Sequence, residues 1–369
     1  MKFTKQNFYF IVGLFVVCFM IQYFWNSGVN ILDTVYKAVY PFLQGAALAY
    51  IINIVMSAYE KVYVFVVKPT SLKMFKRPLS LILAYFTFIA LIVWLFSIVL
   101  PDLIASISSL LSIDTTSLTN FIKDLNHNEY VSKSLKYFGT DGDLVSTIST
   151  YSHQILKQVL SILTNILTSA SSIASAILSV FISLVFSIYV LSSKEKLGYQ
   201  FNLLLVTYLP KYEKTIHYVL GILHKRFHGF FVSQTLEAII LGTLTAIGMF
   251  VINIPYASTV GILMAFTALI PVIGAFIGMT IGTILVATQS VSLAFIFVIF
   301  SIILQQIEGN LIYPKVVGGS IGLPGMWVLL SITVGGSLMG ILGIMLSVPL
   351  AATCYQLIKD NVEKRQTIQ

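Results

Sequence analysis

Charged residues are scarce in this sequence: Asp, Glu, Lys and Arg make up 10% of its 369 residues, against about 25% in a soluble domain. Apolar residues make up 57%, and the mean hydropathy is +0.92. Too few charged side chains are present to cover a water-facing surface. Several apolar runs are long enough to cross a bilayer as helices, and they do not alternate as barrel strands would. The sequence predicts an all-α, polytopic integral membrane protein embedded in a lipid bilayer.

Cysteine and the common catalytic motifs are also nearly missing. The two cysteines, Cys18 and Cys354, lie inside apolar runs and do not form a disulfide or metal framework. No Walker A, zinc-protease or Gly-x-Ser-x-Gly motif is present. His224 and His228 have metal-ligand spacing, but two basic residues separate them and no carboxylate is near in sequence. We therefore expect no enzymatic activity, no catalytic residues, no cofactor and no metal site.

The net charge of +8 reflects topology and does not predict binding to nucleic acid, because the basic residues lie in short groups beside apolar segments. About eight such segments are predicted: 8–25, 34–56, 79–100, 160–191, 230–252, 257–289, 291–312 and 325–357. The first follows Lys2 and Lys5 and is interpreted as a retained span rather than a signal peptide. Placing both termini in the cytoplasm puts sixteen of the 22 basic residues inside. This is the expected orientation of a multi-pass plasma-membrane protein.

Six regions follow from this pattern. The predicted regions are 1–100, three scaffold spans; 101–157, a polar, helical, extracytoplasmic segment; 158–191, a fourth scaffold span; 192–228, a basic amphipathic linker at the cytoplasmic interface; 229–357, a transport half; and 358–369, a cytoplasmic tail.

Two late segments, 257–289 and 325–357, are 33 residues each, roughly 50 Å as straight helices, whereas one crossing needs about 30 Å. Pro271 and Gly274 interrupt the first, and Gly335, Gly336 and Gly340 interrupt the second. Each segment either crosses the membrane or re-enters as a helical hairpin. Two hairpins would make an inverted repeat, a common plan of secondary transporters, and this is the favoured interpretation.

Glu237 and Glu308 are the only acids well inside the late apolar segments. A carboxylate within a membrane costs several kcal/mol unless it is neutral, paired or wet, so it is a functional candidate by default. Both are candidate proton or cation sites, and the alternative is a structural hydrogen bond. Gln305, Gln306 and Asn310 flank Glu308 and either line a polar path or hold helices together.

Small residues repeat every four positions in two places. Gly274, Gly278 and Gly282, like the pair Gly336 and Gly340, predict close helix packing. The stripe Ser171, Ser175, Ser179, Ser183 and Ser187 predicts a helix contact in the scaffold or between subunits of a homo-oligomer.

Three stretches, ALIPVIGAFIG, QQIEGNLIYPKVVGGSIGLPGMW and GILGIMLSVPLAA, resemble the autoinducer-2 exporter family of PerM-like permeases. The resemblance covers nearly the whole chain and is strongest from residue 229 onward. Family members often have Gly-Gln early in the fifth span, where this chain has Ser233 and Gln234. The resemblance implies export of small molecules, with quorum-signal export in some members and sodium/proton antiport in others.

The sequence thus predicts a secondary transporter or exporter of small solutes, coupled to sodium or protons and working by alternating access. A sodium/proton antiporter and a passive channel are the alternatives. Glu308 and Glu237 are the expected ion-coupling residues. The expected transport path also includes Gln305, Gln306, Asn310, Gln234, Pro271, Gly274, Gly336 and Pro314.

Overall fold

The computed structural model of the protein describes residues 5–66, 75–112 and 170–367, and every regular element in these ranges is helical. The helices are α1 (Lys5–Val66), α2 (Lys76–Ser112), α3 (Ala170–Ser192), α4 (Lys194–Tyr208), α5 (Glu213–Val251), α6 (Ala257–Thr267), α7 (Ile273–Ala287), α8 (Val291–Ile307) and α9 (Gly325–Thr367). Two π-helical turns, Glu308–Ile312 and Pro314–Gly318, and a short helical turn, Gly319–Ile321, continue α8. Most of the extracytoplasmic segment predicted at 101–157 lies outside the described residues.

Six of the described helices are long and apolar enough to cross a membrane, and α6 and α7 are shorter apolar helices. The polytopic, all-α fold predicted from the sequence is confirmed. Some helix boundaries differ from the prediction, and two of these differences concern the organisation of the chain. Separate spans were predicted at 8–25 and 34–56, but α1 runs unbroken through both, and the second half of the predicted basic linker, 213–228, is the first part of α5. Short polar stretches in these places do not break the helix.

The chain forms two compact units, of which the first joins Met1–Tyr50 with Ser171–Ser193. Within it the serine stripe of α3 packs against α1. The Ser183 hydroxyl donates to the carbonyl oxygen of Pro41 at 2.8 Å, and the Ser179 hydroxyl donates to Gln44 Oε1 at 3.1 Å. A Cβ on Gly45 would lie 2.6 Å from the Ser183 carbonyl oxygen. Ser179 and Ser183 therefore make a helix contact inside the chain, as predicted for the scaffold.

Replacing Ser183 by leucine is expected to destabilise this unit. The larger side chain would meet α1 at its closest approach and remove a buried hydrogen bond, and such overpacking typically costs about 1–3 kcal/mol. The thermal unfolding temperature of the purified protein in detergent measures the effect. Val180→Leu is the control, because Val180 is exposed. An unchanged unfolding temperature for Ser183→Leu would contradict the contact.

The second unit joins Ile51–Ala170 with Lys194–Gln369 and contains two helical hairpins. In the first, α7 folds back along α6. A Cβ on Gly278 would lie 2.6 Å from Met264 Sδ, and a Cβ on Gly282 would lie 2.8 Å from a Val260 methyl carbon. The glycine repeat in α7 is therefore a close-packed helix contact, as predicted.

The second hairpin lies within α9, which turns at Met339 (φ −136°, ψ 16°) and Gly340 (φ 60°, ψ −140°). The positive φ at Gly340 suits glycine, which has no Cβ to clash there. Residues on either side of the turn meet: a Cβ on Gly335 would lie 2.5 Å from the Gly343 carbonyl oxygen. These residues would be about 12 Å apart in a straight helix. The close pair is thus Gly335 with Gly343, and Gly340 serves as the turn rather than as the predicted packing position.

The two hairpins make Lys315 a test of membrane topology. If both hairpins re-enter the membrane, Lys315, which is exposed between them, faces the cytoplasm. We expect a Lys315→Cys protein in a cysteine-free background to resist an impermeant maleimide added to intact cells and to react after the membrane is opened. Labelling from outside would instead place both segments across the membrane.

Candidate functional site

A close crossing of α5 and α6 positions the first carboxylate. A Cβ on Gly242 would lie 2.6 Å from the Gly261 carbonyl oxygen, and a Cβ on Gly261 would lie 2.9 Å from the Gly242 carbonyl oxygen. Glycine at both positions lets the two backbones approach closely, as in many membrane helix pairs. The part of α5 that carries Glu237 is therefore held beside the end of α6, where the hairpin turns.

The hairpin tip is tight and strained. Gly274 has no room for a side chain, since its Cβ would lie 1.7 Å from the Thr267 carbonyl oxygen. Val272 adopts φ 65° and ψ −59°, and the Ile273 N–H donates to the Pro271 carbonyl oxygen at 2.7 Å, which closes a three-residue turn. A β-branched residue at positive φ costs roughly 1–3 kcal/mol. Such strain persists only where surrounding contacts hold the backbone in place.

A cavity of about 250 Å³ lies against this tip. Its polar lining brings together Glu237 and Gln234 from α5 with Gln305 and Glu308 from the end of α8, residues that are some 70 positions apart in the sequence. Its other lining residues are Ala268, Ile270, Val272, Ala275, Phe276, Gly309 and Tyr313. The structure thus places the two acids of the late segments at one cavity.

Gln234 connects Glu237 to the hairpin. Its side-chain amino group donates to Glu237 Oε2 and to the Ala268 carbonyl oxygen, each at 2.9 Å. Gln234 and Glu237 are both only 3% exposed. Ala268 caps the C-terminal end of α6, where carbonyl groups lack helical partners. Gln234 therefore holds the carboxylate and the tip together.

Three polar atoms at the cavity are buried and have no hydrogen-bond partner within the described ranges: Gln234 Oε1, Gln305 Nε2 and the Tyr313 hydroxyl. An unpaired buried polar group costs about 1–3 kcal/mol. Together with the two carboxylates, they offer acceptors and donors from both α5 and the end of α8. This arrangement suits a bound ion, water or small polar solute, because each of these can satisfy several such groups at once.

Tyr313 reaches the cavity because the helix widens after Glu308. In the turn Glu308–Ile312 the Tyr313 N–H donates to the Glu308 carbonyl oxygen, five residues earlier. In an α-helix, residues five apart point to different sides, whereas a π-helical turn brings them above one another. The sequence prediction did not include Tyr313. Gly309 lies in this turn and Pro314 begins the next one, and these two helix-disfavouring residues are the sequence signals of a change in helix geometry.

Several expected path residues lie elsewhere. Gln306 and Asn310 are exposed, and the Asn310 side-chain amide donates to the Gln306 carbonyl oxygen at 2.8 Å. Pro271 is buried within the tip turn, and Pro314 begins the second π-helical turn. Gly336 lies beside Ile344 in the second hairpin. Of the ten residues expected from the sequence, the cavity lining therefore contains Glu237, Glu308, Gln234 and Gln305.

The N-terminal part of α5, which is predicted to face the cytoplasm, is hydrogen-bonded to the segment that carries Glu308. The Arg226 guanidinium donates to the Ile321 carbonyl oxygen at 2.9 Å and to the Gln356 side chain of α9. Gly322 follows with φ 62° and ends this helical segment. An arginine bound to the last carbonyl groups stabilises a helix C-terminus. Both ends of the Glu308 segment are thus anchored to α5, one by packing at the cavity and one by Arg226.

Helices that break beside buried carboxylates, within a polytopic helical membrane protein, are characteristic of membrane transporters. The family model described as AI-2E family transporter matches residues 9–363. The chain belongs to this family, and the resemblance noted from its sequence motifs is confirmed.

Named transport proteins are among its relatives. YueF of Bacillus subtilis (strain 168), named as a transport protein, is 26% identical over 352 residues, which is 93% of this chain and 88% of YueF. YrrI of the same organism, also named for transport, is 36% identical over 119 residues, 32% of this chain and 34% of YrrI. The transport protein sll0063 of Synechocystis is 31% identical over 129 residues, 35% of this chain and 32% of sll0063. The full-length match supports membrane transport as the general function.

Proposed function

We propose that this protein is a secondary transporter that exports small solutes of the autoinducer-2 type across the plasma membrane in exchange for, or together with, a proton or sodium ion. Both termini lie in the cytoplasm. Residues 229–357 form the transport half, and no enzymatic step is involved. The observation that carries the proposal is the cavity shared by Glu237 and Glu308.

The two carboxylates supply the ion-coupling chemistry. Because two negative charges close together in a low-dielectric site repel each other, the cavity favours binding of a proton or a cation. The amides of Gln234 and Gln305 provide polar contacts for a solute or ion. A solute and a coupling ion that share one cavity can influence each other's binding directly, which is the basis of coupled transport.

The two hairpins supply the moving parts. Broken helices at membrane depth are tolerated where they line a cavity, and in secondary transporters such elements open the site alternately to the two sides. In this scheme the tip formed by Pro271, Val272 and Gly274 faces one side, and the turn at Gly340 faces the other. Gln306, Asn310 and Pro314 then contact the solute as it enters or leaves, and Gly336 allows the second hairpin to pack closely.

Purified protein reconstituted into sealed vesicles tests this function. Uptake and release of an autoinducer-2 type solute are measured under imposed proton and sodium gradients. Saturable flux that responds to one of these gradients is expected. Flux that ignores both gradients would overturn ion coupling.

Sodium/proton antiport is the second candidate, favoured by the same pair of carboxylates. It requires no organic solute, because each ion displaces the other from the shared site. In the same vesicles, a sodium gradient alone would then drive proton movement, read by a pH-sensitive dye inside the vesicles. A passive channel would instead give linear, non-saturating flux.

We also propose that the protein is a homo-oligomer. The apolar surface of the described helices is extensive: Phe181 is 63% exposed and Phe250 is 76% exposed. Both lipid and a second copy can cover such residues in a membrane. Native mass spectrometry of the protein released from mild detergent measures the number of copies, and a strictly monomeric protein would overturn this part of the proposal.

A further inference from the structure

We propose that Gln234 is a positioning residue that responds to the protonation state of Glu237 and transmits it to the tip of the α6–α7 hairpin. This inference rests on the proposed ion-coupled transport, and it identifies the residue through which ion binding moves the hairpin. It starts from the Gln234 side chain, which donates both to the carboxylate at Glu237 Oε2 and to the tip at the Ala268 carbonyl oxygen.

The two branches of the Gln234 amide are nearly equal in size, but one only donates and the other only accepts. The donating branch faces Glu237 and Ala268, while the accepting oxygen is buried and unpaired within the described part of the chain. An ionised Glu237 can only accept hydrogen bonds, so it fits this arrangement.

Protonation of Glu237 changes which branch of the Gln234 amide it favours as a hydrogen-bond partner. Its hydroxyl can donate, and the unpaired Gln234 Oε1 is an acceptor on the neighbouring side chain. Rotating the amide to bring Oε1 toward that hydroxyl turns the amino group away from the Ala268 carbonyl oxygen. The hairpin tip then loses its hydrogen bond to α5. Protonation of the carboxylate thus releases the tip without any covalent step.

The tip is ready to move once released. Val272 occupies a strained backbone conformation in the turn that follows Ala268. Strain of this kind lowers the free energy needed to rearrange the turn. Because Val272 itself lines the cavity, movement of the tip changes the shape of the binding site.

Few other charges face this region. Among the cavity-lining residues, the groups that can titrate are Glu237 on α5 and Glu308 and Tyr313 on the widened end of α8; α6 and α7 contribute only backbone and apolar side chains. Helix α9 also packs on α5, but there its Asp360 binds Tyr218, which lies nineteen residues, or about 28 Å, before Glu237. Glu308 lines the same cavity, but of the two carboxylates only Glu237 accepts a hydrogen bond from Gln234.

Hydrogen–deuterium exchange of the full-length protein in lipid nanodiscs tests the inference. The readout is protection of the peptide covering residues 268–276 across a pH titration, corrected for the intrinsic pH dependence of exchange. In the wild type, protection should fall about tenfold on acidification, as expected for losing one hydrogen bond. Gln234→Leu should give low protection at every pH. Glu237→Gln cannot gain or lose a proton, so its protection should not change across the titration.

Thr235→Val is the matched control, because Thr235 is the next residue on the same helix, is exposed, and bonds only to the Phe231 carbonyl oxygen among the contacts seen in the described chain. In Thr235→Val, protection of the tip peptide should change with pH as it does in the wild type. A wild-type tip that does not respond to pH, or a Gln234→Leu tip that still responds, would overturn the inference. If the wild-type tip responds to pH but the wild-type protein shows no gradient-driven flux in vesicles, the proposed function is overturned and this inference is not.

Discussion

A Glu308→Gln protein is expected to lose solute flux driven by a pH gradient but to keep exchange of solute between compartments of equal pH. Glutamine preserves the shape of the side chain but cannot bind or release a proton. The cavity would still admit solute, since Gln305, Gln234 and Tyr313 are unchanged. Flux in reconstituted vesicles, with and without the gradient, separates the two activities.

The matched control is Glu213→Gln, which removes a half-buried carboxylate at the start of α5, outside the cavity. Solute flux through this variant should respond to the pH gradient as flux through the wild type does. If flux through Glu308→Gln also responds fully to the pH gradient, Glu308 has a structural role and the coupling ion binds elsewhere. Glu237→Gln is expected to show a similar loss, because both carboxylates line the same cavity.

Bulk at the hairpin tip should abolish transport while leaving the protein in the membrane. In Gly274→Leu the new Cβ would lie 1.7 Å from the Thr267 carbonyl oxygen, so the turn cannot form as it stands. Overpacking of this kind costs roughly 1–3 kcal/mol or more, concentrated at the wall of the cavity. Pro271→Leu should act in the same direction by loosening the turn. The measurement is flux per unit of folded protein, with folding followed by size-exclusion chromatography.

Gly221→Leu provides the comparison for Gly274→Leu. Gly221 lies in α5 and has nothing within 4 Å of the position that a Cβ would take. The same change in side-chain size should therefore leave flux near the wild-type level. Equal flux in the two variants would mean that the tight turn is not needed for transport.

The hairpins could be predicted because their breaks are local. Pro271 and Gly274 interrupt one apolar segment, and Gly335 and Gly340 interrupt the other. Proline and glycine act on the backbone wherever they stand. The length of α1 could not be predicted in this way. The polar residues near Asn26 and Ser27 resemble a loop in sequence, but they continue as helix in the structure.

The candidate site was predicted in part for a related reason. Helical spacing placed Gln305 and Glu308 on one face and Gln306 and Asn310 on another, and only the first pair lines the cavity. Tyr313 could not be found from that spacing because the π-helical turn changes which residues share a face. The pairing of Gln234 with Ala268 depends on two helices that meet through tertiary packing, and no local pattern in the sequence specifies it.

Helix α5 has a mechanical consequence. Its 39 residues span about 58 Å, nearly twice the roughly 30 Å of the bilayer core. Glu237 lies on this rod, and Arg226 and Tyr218 lie toward its far end, where they bind α9. A tilt of the helix about the cavity therefore displaces its distal end more than it displaces the groups beside the carboxylates. A distance probe at that end would report small rearrangements around Glu237 in amplified form.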